Sequence, residues 1–267
     1  MSQAVPFEFE AMVVERQDEV LRIILSNPRN RLNSIDEGMH RELTTLFSLL
    51  RREREARAVI LTGRGEAFSA GGDYGWFPSL HTVERLHQLR SDARQLIWDL
   101  VDVELPIVAA LNGPAVGLGA TIALLCDVII AADHATISDP HVKVGIVAGD
   151  GGTAIWPLLV GPARAKQYLL TGESLEAAEA ERIGLINQVV AADALESTAL
   201  GLARKLAALP PLAVQYTKAA INKLVKQALN VSFDFAAAQE LITFLSEDHR
   251  AALQAITDRQ PTRYQGR

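Results

Sequence analysis

The sequence predicts an α/β fold followed by a C-terminal helical region. Short apolar strands alternate with glycine-containing loops and amphipathic helices through the first part of the chain, an order typical of a sheet covered by helices. From Thr153 onward the pattern is almost wholly helical and rich in alanine. The composition agrees with a packed globular core, because 49% of the 267 residues are hydrophobic and 22% are charged.

A hairpin, a helix and a buried strand are predicted at the start of the chain. The runs AMVVER and EVLRIIL are rich in β-branched residues and are separated by the polar Gln17 and Asp18, which favours a hairpin. A helix follows, since Ser34 and Glu37 have the spacing of a capping box and apolar residues then recur at helical intervals. The run AVILTG, residues 58–63, predicts a buried strand that ends at a glycine.

Loops that contain glycine separate the next elements. The loop GEAFSAGGD leads into a helix that carries Leu86, Leu89 and Leu96 on one face, and the strand PIVAAL leads into the loop GPAVGLG. Another helix and the strand DVIIAAD come next. Because each glycine loop joins a strand to a helix, we expect these loops to emerge on one side of the sheet.

The C-terminal part of the chain is predicted to consist of several helices. Pro210 and Pro211 mark a boundary between two of them, since proline cannot continue a helix. No low-complexity linker separates these helices from the strands. We therefore divide the chain into a core over residues 1–200 and a helical region over residues 201–267 that packs on the core or on a neighbouring subunit.

Charge and composition exclude several classes of function. The net charge of −6 argues against nucleic acid as a partner. The N-terminal segment MSQAVPFEFEAMVVE lacks a targeting signal, and no apolar run approaches the ~20 residues that cross a bilayer. Cys126 has no second thiol for a disulfide or a zinc site, and the histidines at positions 40, 81, 87, 134 and 249 show no metal-ligand spacing. We expect a cytoplasmic protein with no metal and no membrane partner.

Two glycine loops are the strongest candidates for a functional site, FSAGGD (68–73) and GPAVGLG (113–119). Small residues let the backbone approach a ligand, and the free N–H groups before a helix attract negative charge. Two such loops facing one point would form an oxyanion hole. Neither contains the phosphate-binding pattern GxxxxGK[ST], and the second lacks the full GxGxxG spacing. Each loop alone is equally compatible with a tight strand-to-helix turn.

The order and separation of these loops carry a resemblance to a known family. The run AFSAGGD followed by PIVAALNGPAVGLGATIALLCDVIIAAD resembles the signature of the crotonase (enoyl-CoA hydratase/isomerase) superfamily. The segments NPRNRLNSID, ISDPHVKVGIVAGDGGTAIWPLLVG and LLTGESLEAAEAERIGLINQVV extend the resemblance over most of the chain. It implies a spiral of ββα units, a homotrimer or a dimer of trimers with the C-terminal helices at the subunit contacts, and acyl-CoA thioesters as substrates. Coenzyme A is then part of the substrate, and no separate cofactor is expected.

The resemblance also implies positions for the binding residues. The oxyanion donors would be the backbone N–H groups of Gly72 and Leu118. Trp76 and Trp156 are candidates to line an acyl pocket, although a single tryptophan is more often a core residue. The pantetheine and adenine ends of coenzyme A would be held by a set of residues around the first glycine loop: Arg31, Ala70, Asp73 and Tyr74.

The chain departs from the hydratases at their two catalytic glutamates, whose positions are taken by Thr121 and His141. The polar residues His141, Asp150 and Glu240, together with the stretch HVKVGIVAGDG and a following Trp-Pro, closely resemble the β-diketone hydrolase branch of the superfamily, typified by 6-oxocamphor hydrolase. Histidine is a competent base near neutral pH, and a neighbouring carboxylate fixes its tautomer. Non-catalytic alternatives are a polar residue at a strand end for His141, a helix cap for Asp150 and a surface position for Glu240.

Three functions are compatible with these residues. The first is an enoyl-CoA hydratase/isomerase-like enzyme that stabilises an acyl-CoA-derived enolate and uses His141 and Asp150 for proton transfer. The second is a hydrolase that cleaves a β-diketone by a retro-Claisen reaction, with water activated by His141 and with Glu240 orienting His141 or protonating carbon. The third is a non-catalytic acyl-CoA-binding or scaffold protein. Retention of a polar His/Asp pair argues against the third, because buried polar groups without a role are costly.

Overall fold

The computed structural model describes residues 8–267 and confirms the α/β class. Residues 1–7, which begin the segment considered for targeting, lie outside the described residues. The strands are β1 (Met12–Gln17), β2 (Val20–Leu25), β3 (Ala58–Gly63), β4 (Ile107–Leu111), β5 (Ala115–Val116), β6 (Val128–Ala132), β7 (Thr136–Ser138), β8 (Leu175–Glu176) and β9 (Gln188–Val190). The helices are α1 (Glu37–Leu50), α2 (Val83–Asp102), α3 (Leu118–Leu124), α4 (Gly152–Thr171), α5 (Ala177–Arg182), α6 (Leu195–Ala207), α7 (Pro211–Phe244) and α8 (Glu247–Asp258). Short 3₁₀ helices cover Phe77–Leu80, His141–Val144 and Ala192–Ala194.

Two sheets are formed by the described strands. The larger has the order β1-β2-β3-β4-β6-β9, in which β1 and β2 are antiparallel and the remaining neighbours are parallel. The smaller has the order β5-β7-β8. Strands β3 and β4 are buried along almost their whole length, as expected for parallel strands covered on both faces. Their carboxyl ends lead into the two glycine loops, so the loops emerge at the same edge of the sheet.

The hairpin and the first helix differ in detail from the prediction. Gln17 pairs with Val20, so the turn consists of Asp18 and Glu19, and Asp18 adopts the left-handed conformation that aspartate tolerates. The predicted capping box from Ser34 is wrong. Asp36 caps α1 instead, because its carboxylate accepts a hydrogen bond from the Met39 backbone N–H at 2.9 Å.

The C-terminal part contains two short strands among its helices, which the sequence pattern did not predict. Strand β8 pairs with β7, and β9 extends the larger sheet beside β6. The predicted helix boundary is confirmed, since α7 begins at Pro211 with Pro210 before it. Residue 200 lies inside α6, and Phe233 of α7 is buried in the same core as the strands. Helix α7 therefore shares the core of the strands. Within residues 8–267, no helix is long and apolar enough to cross a membrane.

Candidate active site

Three chain segments are held together by backbone bridges at the edge of the sheet. Ile35 forms a parallel bridge with Gly72, in which the Ile35 N–H donates to Gly71 and the Asp73 N–H donates to Ile35, at 2.7 and 3.0 Å. Ser69 forms a second bridge with Ala115, the start of β5. These bridges bring the two glycine loops side by side. Gly71 must remain glycine here, because its φ is +79° and a Cβ would lie 2.7 Å from a backbone oxygen of the second loop.

The backbone N–H groups of Gly72 and Leu118 are both free of acceptors within residues 8–267. Leu118 is the first residue of α3, where helix geometry leaves the N–H without an internal partner. The bridge to Ile35 uses the neighbours of Gly72 and leaves its own N–H unused. Both residues line one cavity, so two main-chain donors are available to the same bound group.

This cavity, which we call the reaction cavity, has a volume of about 70 Å³. Its wall is mainly apolar, with side chains from α1, α2, α7 and the two 3₁₀ helices of the loop region. Side chains with polar atoms reach it at five positions. It is lined by Ile35, His40, Gly72, Trp76, Phe77, Leu80, Leu89, Ala93, Leu118, His141, Ile146, Asp150, Glu240 and Phe244.

A cluster of one imidazole and two carboxylates occupies one side of the reaction cavity. Nδ1 of His141 donates a hydrogen bond to the fully buried Asp139 carboxylate. Its Nε2 atom lies 3.5 Å from Oδ2 of Asp150. Asp150 is oriented by Thr121, whose hydroxyl donates to Oδ1 at 3.1 Å. Thr121 therefore supports the cluster by orienting Asp150.

Burial and mutual charge set the protonation states of this cluster. Burial opposes the charged imidazole, but the negative charges of Asp139 and Asp150 outweigh it and raise the pKa of His141 to about 10. Burial raises the pKa of Asp150, with Asp139 adding to the effect and His141 opposing it. Burial also raises the pKa of Glu240 to about 8. At pH 7 the site therefore holds a protonated histidine and a protonated Glu240.

Two glycines, Gly149 and Gly152, leave space for the carboxyl groups of Glu240 and Asp139. A Cβ on Gly149 would lie 2.4 Å from Oε2 of Glu240, and a Cβ on Gly152 would lie 2.2 Å from Oδ2 of Asp139. The N-terminal residue of α4 thus packs against Asp139, and the loop before it packs against α7. Gly151 occupies the cap position of α4 without a side-chain hydrogen bond, but the Asp150 carboxylate before it accepts from the Gly152 N–H, the first of the helix, at 3.4 Å.

Asp139 is the site residue that the sequence analysis missed. It precedes His141 by two positions in the run Ser-Asp-Pro-His, and that spacing is its only sequence signal. The ligand atoms of Asp139, His141 and Asp150 lie within 4.8 Å of one another, a spacing compatible with a cation. An imidazole protonated on both nitrogens offers no lone pair to a metal, however, so the raised pKa of His141 favours a proton-holding cluster.

The predicted binding residues fall into three groups. Trp76 lines the reaction cavity, whereas Ala70 and Tyr74 line an adjoining cleft that also touches His141. Asp73 lines neither, and its carboxylate accepts from the Gly75 N–H at 2.7 Å in a local turn. Arg31 is 85% exposed and lies 4.0 Å from Glu66. Trp156 is fully buried in the core and lines neither space.

Comparison with known proteins identifies the family. A family model described as enoyl-CoA hydratase/isomerase matches residues 15–267. The chain belongs to the enoyl-CoA hydratase/isomerase family. The chain is 32% identical over 254 residues to an enzyme of this family, the short-chain-enoyl-CoA hydratase of Clostridium acetobutylicum. The match covers 95% of this chain and 97% of that protein.

Solved structures confirm the crotonase fold. An enoyl-CoA hydratase/isomerase from Mycobacterium paratuberculosis matches with a TM-score of 0.89 and 36% identity, covering 93% of this chain and 99% of that chain. A β-diketone hydrolase from Anabaena, bound to (S)-3-oxocyclohexyl acetic acid, matches with a TM-score of 0.84 and 30% identity, covering 89% of this chain and 95% of that chain. The predicted superfamily and fold are therefore confirmed. The similar structures include one named as an enoyl-CoA hydratase/isomerase and one named as a β-diketone hydrolase.

Proposed function

We propose that this crotonase cleaves a carbon–carbon bond between two carbonyl groups by hydrolysis. The N–H groups of Gly72 and Leu118 would hold the carbonyl oxygen that becomes an enolate oxygen, as donors fixed before the charge develops. Water gives a proton to Asp150, beside the protonated His141, as it attacks the other carbonyl carbon. The bond between the attacked carbon and the carbon that lies between the two carbonyl groups then breaks, and the attacked carbon becomes that of a carboxylic acid. The electron pair of the broken bond forms the enolate, whose carbon takes a proton from Glu240.

The observation that carries this proposal is the protonation pattern of the reaction cavity. Cleavage needs a proton acceptor for water and a proton donor for carbon in one site. Asp150, whose pKa is raised, faces the protonated His141 and supplies the acceptor. Glu240 has a pKa of about 8 and supplies the donor at neutral pH. The two glutamates between which the hydratases of this family hold water are replaced here by Thr121 and His141.

Enoyl-CoA hydration or isomerisation is the second candidate. It is favoured by the relatives, which include the 2,3-dehydroadipyl-CoA hydratase of Escherichia coli at 30% identity over 96% of this chain and 99% of that protein. In this reaction His141 and Asp150 would replace the two glutamates. Coenzyme A, as part of the substrate, would extend along the cleft at Ala70 and Tyr74 toward the exposed Arg31. A scaffold without chemistry is disfavoured, because it gives no reason to bury three carboxyl groups around one histidine.

We also propose a homotrimeric building block, alone or as a pair of trimers. Support comes from α7, whose exposed face carries large apolar side chains that water does not favour. These are Ile221, Leu224, Val231, Phe235 and Ile242, each at least 59% exposed in the single chain. Sedimentation equilibrium tests the assembly, and a monomer at micromolar concentration would contradict it.

A direct comparison of two substrates tests the proposed function. The purified protein is given crotonyl-CoA, followed by loss of the enoyl absorbance, and 2,2-dimethylcyclohexane-1,3-dione, followed by chromatographic detection of the keto acid. The dione has no acidic hydrogen between its carbonyls and stays neutral. Cleavage of the dione with inert crotonyl-CoA supports the hydrolase. Hydration of crotonyl-CoA with an inert dione would replace it by the second candidate.

A further inference from the structure

One wall of the reaction cavity carries two polar groups that the proposed acid–base chemistry does not use. His40, on the inner face of α1, is 4% exposed, and its ring makes no hydrogen bond within residues 8–267. The Nε1 atom of Trp76 is buried and has no partner. The two rings are neighbours, with centroids 5.6 Å apart at 49°. Buried polar atoms without partners, such as Nε1 of Trp76, are rare in folded proteins. Because the His40 ring, which makes no hydrogen bond, lines the same cavity, the two rings together indicate a ligand.

The chemistry of the two rings restricts what that ligand offers. Burial holds the pKa of His40 near 4, and the charge of Asp92 opposes this only weakly, so the imidazole is neutral at pH 7. A neutral imidazole donates one hydrogen bond, and the tryptophan N–H is a donor only. Both groups can therefore point a hydrogen at one acceptor. An oxygen of the bound molecule satisfies both.

The surroundings favour a neutral oxygen over a carboxylate. Behind His40 and Trp76 lies a second cavity of about 250 Å³ between α1 and α2, which contains Arg41 and Arg85. Both arginines are paired with Glu37, at 3.3 and 2.6 Å, and Asp92 adds another negative charge to that cavity. No unpaired cation of the described chain lines either cavity to balance a carboxylate. A carbonyl oxygen needs no such balance.

We propose that His40 and Trp76 bind the second carbonyl oxygen of a 1,3-dicarbonyl substrate, while Gly72 and Leu118 bind the first. This inference rests on the proposed function and deepens it, because an enoyl thioester has only one carbonyl and leaves the His40–Trp76 pair unfilled. The reaction cavity then contains two oxygen sites with the His141–Asp150 pair lining the same space. The substrate class is a compact, neutral dicarbonyl compound whose remaining surface is apolar, in agreement with the apolar wall.

Ligand binding to variants that each remove one hydrogen-bond donor tests the assignment. Trp76→Phe removes the N–H and keeps a ring, and Trp98→Phe is the matched control, since Trp98 packs on Phe233 away from the cavity. Calorimetry is performed with 2,2-dimethylcyclohexane-1,3-dione and with 2,2-dimethylcyclohexanone, which lacks the second oxygen. We expect Trp76→Phe to weaken dione binding roughly fivefold and to leave monoketone binding unchanged. The control variant should bind both as the unmodified protein does.

Variants of His40 and a measurement of dione cleavage distinguish failure of the oxygen site from failure of the proposed function. His40→Gln keeps an N–H donor and should retain dione affinity, whereas His40→Phe should lose it as Trp76→Phe does. Equal loss for dione and monoketone would overturn the proposal by indicating a change of shape, and so would no loss for either. If the dione binds with this pattern but is never cleaved, the proposed function fails while the oxygen site stands. If the dione is cleaved and Trp76→Phe has normal affinity and turnover, the site fails alone.

Discussion

Nε2 of His141 lies 3.5 Å from Oδ2 of Asp150, and both side chains line the reaction cavity. At this separation a single water molecule can form hydrogen bonds to both atoms. Asp139 holds the opposite nitrogen of the ring, so the imidazole cannot rotate away without losing a buried hydrogen bond. Asp150 is consequently a proton acceptor of fixed geometry beside a fixed imidazolium. Four predictions concern this pair and other side chains of the reaction cavity.

Loss of the pair should stop turnover without unfolding the protein. We expect His141→Ala and Asp150→Asn each to lower kcat by about 10²-fold to 10⁴-fold, the usual contribution of general acid–base catalysis. Ligand affinity should change little, because binding relies on the main-chain donors and the apolar wall. Thr121→Ala, which removes only one hydrogen bond to Asp150, is the matched control and should cost far less. Normal turnover in His141→Ala would contradict the mechanism.

The pH dependence of turnover should report Glu240 on its alkaline side. The proposed donor works only when protonated, and its pKa is raised by burial to about 8. We therefore expect kcat to fall as pH rises through about 8. Activity should also fall on the acidic side, as Asp150 takes up the proton that it must accept from water. In Glu240→Gln the remaining activity should no longer fall as pH rises through about 8. If kcat still falls there, the decrease is due to the titration of another group.

Gly149 offers a way to disturb Glu240 without altering its charge. An alanine Cβ here would lie 2.4 Å from Oε2 of Glu240, so the carboxyl group must move. We expect Gly149→Ala to lower kcat by about tenfold or more and to shift the alkaline limb of the pH profile, because the carboxyl group loses its buried position. Gly201→Ala has no heavy atom within 4 Å of the new Cβ and serves as the control. If Gly149→Ala and Gly201→Ala have the same kcat and the same pH profile, the space at Gly149 does not determine the position of the Glu240 carboxyl group.

His40 should make folding stability depend on pH in mildly acidic solution. Its pKa is about 4 in the folded chain against a reference value of 6.5. Between these values the unfolded chain binds a proton that the folded chain does not, so the free energy of unfolding decreases as pH falls from 6.5 to about 4. The loss amounts to about 3 kcal/mol and is complete below the lower value. Urea denaturation of the protein and of His40→Gln at pH 7 and 4.5 measures this loss. An equal decrease in the free energy of unfolding for both proteins would refute the assignment to His40.

The sequence predicted the elements of the fold well because strands and helices differ in the spacing of their apolar residues. Parallel strands ending in glycine loops also predicted that the two loops meet. The cap of α1 was assigned to Ser34 because the capping-box spacing is local. Asp36 takes that place through contacts with Arg29 and Asn27, which the chain brings together only on folding.

The site was predictable where residue type alone suggests chemistry, as for His141 and Glu240. Asp139 resembled an ordinary turn residue before a proline, and His40 resembled a core residue on an apolar helix face. Their importance depends on which buried atoms they meet or fail to meet. That information is three-dimensional, because the partners of Asp139 and the cavity beside His40 are assembled from separate elements.

The division of the reaction cavity between main-chain and side-chain groups has an evolutionary consequence. The N–H groups of Gly72 and Leu118 belong to the backbone, so substitutions that preserve the loops leave the means of holding a developing negative charge intact. The side chains that move protons come from separate elements and can be replaced one at a time. Exchange of these side chains can therefore change the proton chemistry while the main-chain donors for a carbonyl oxygen stay in place.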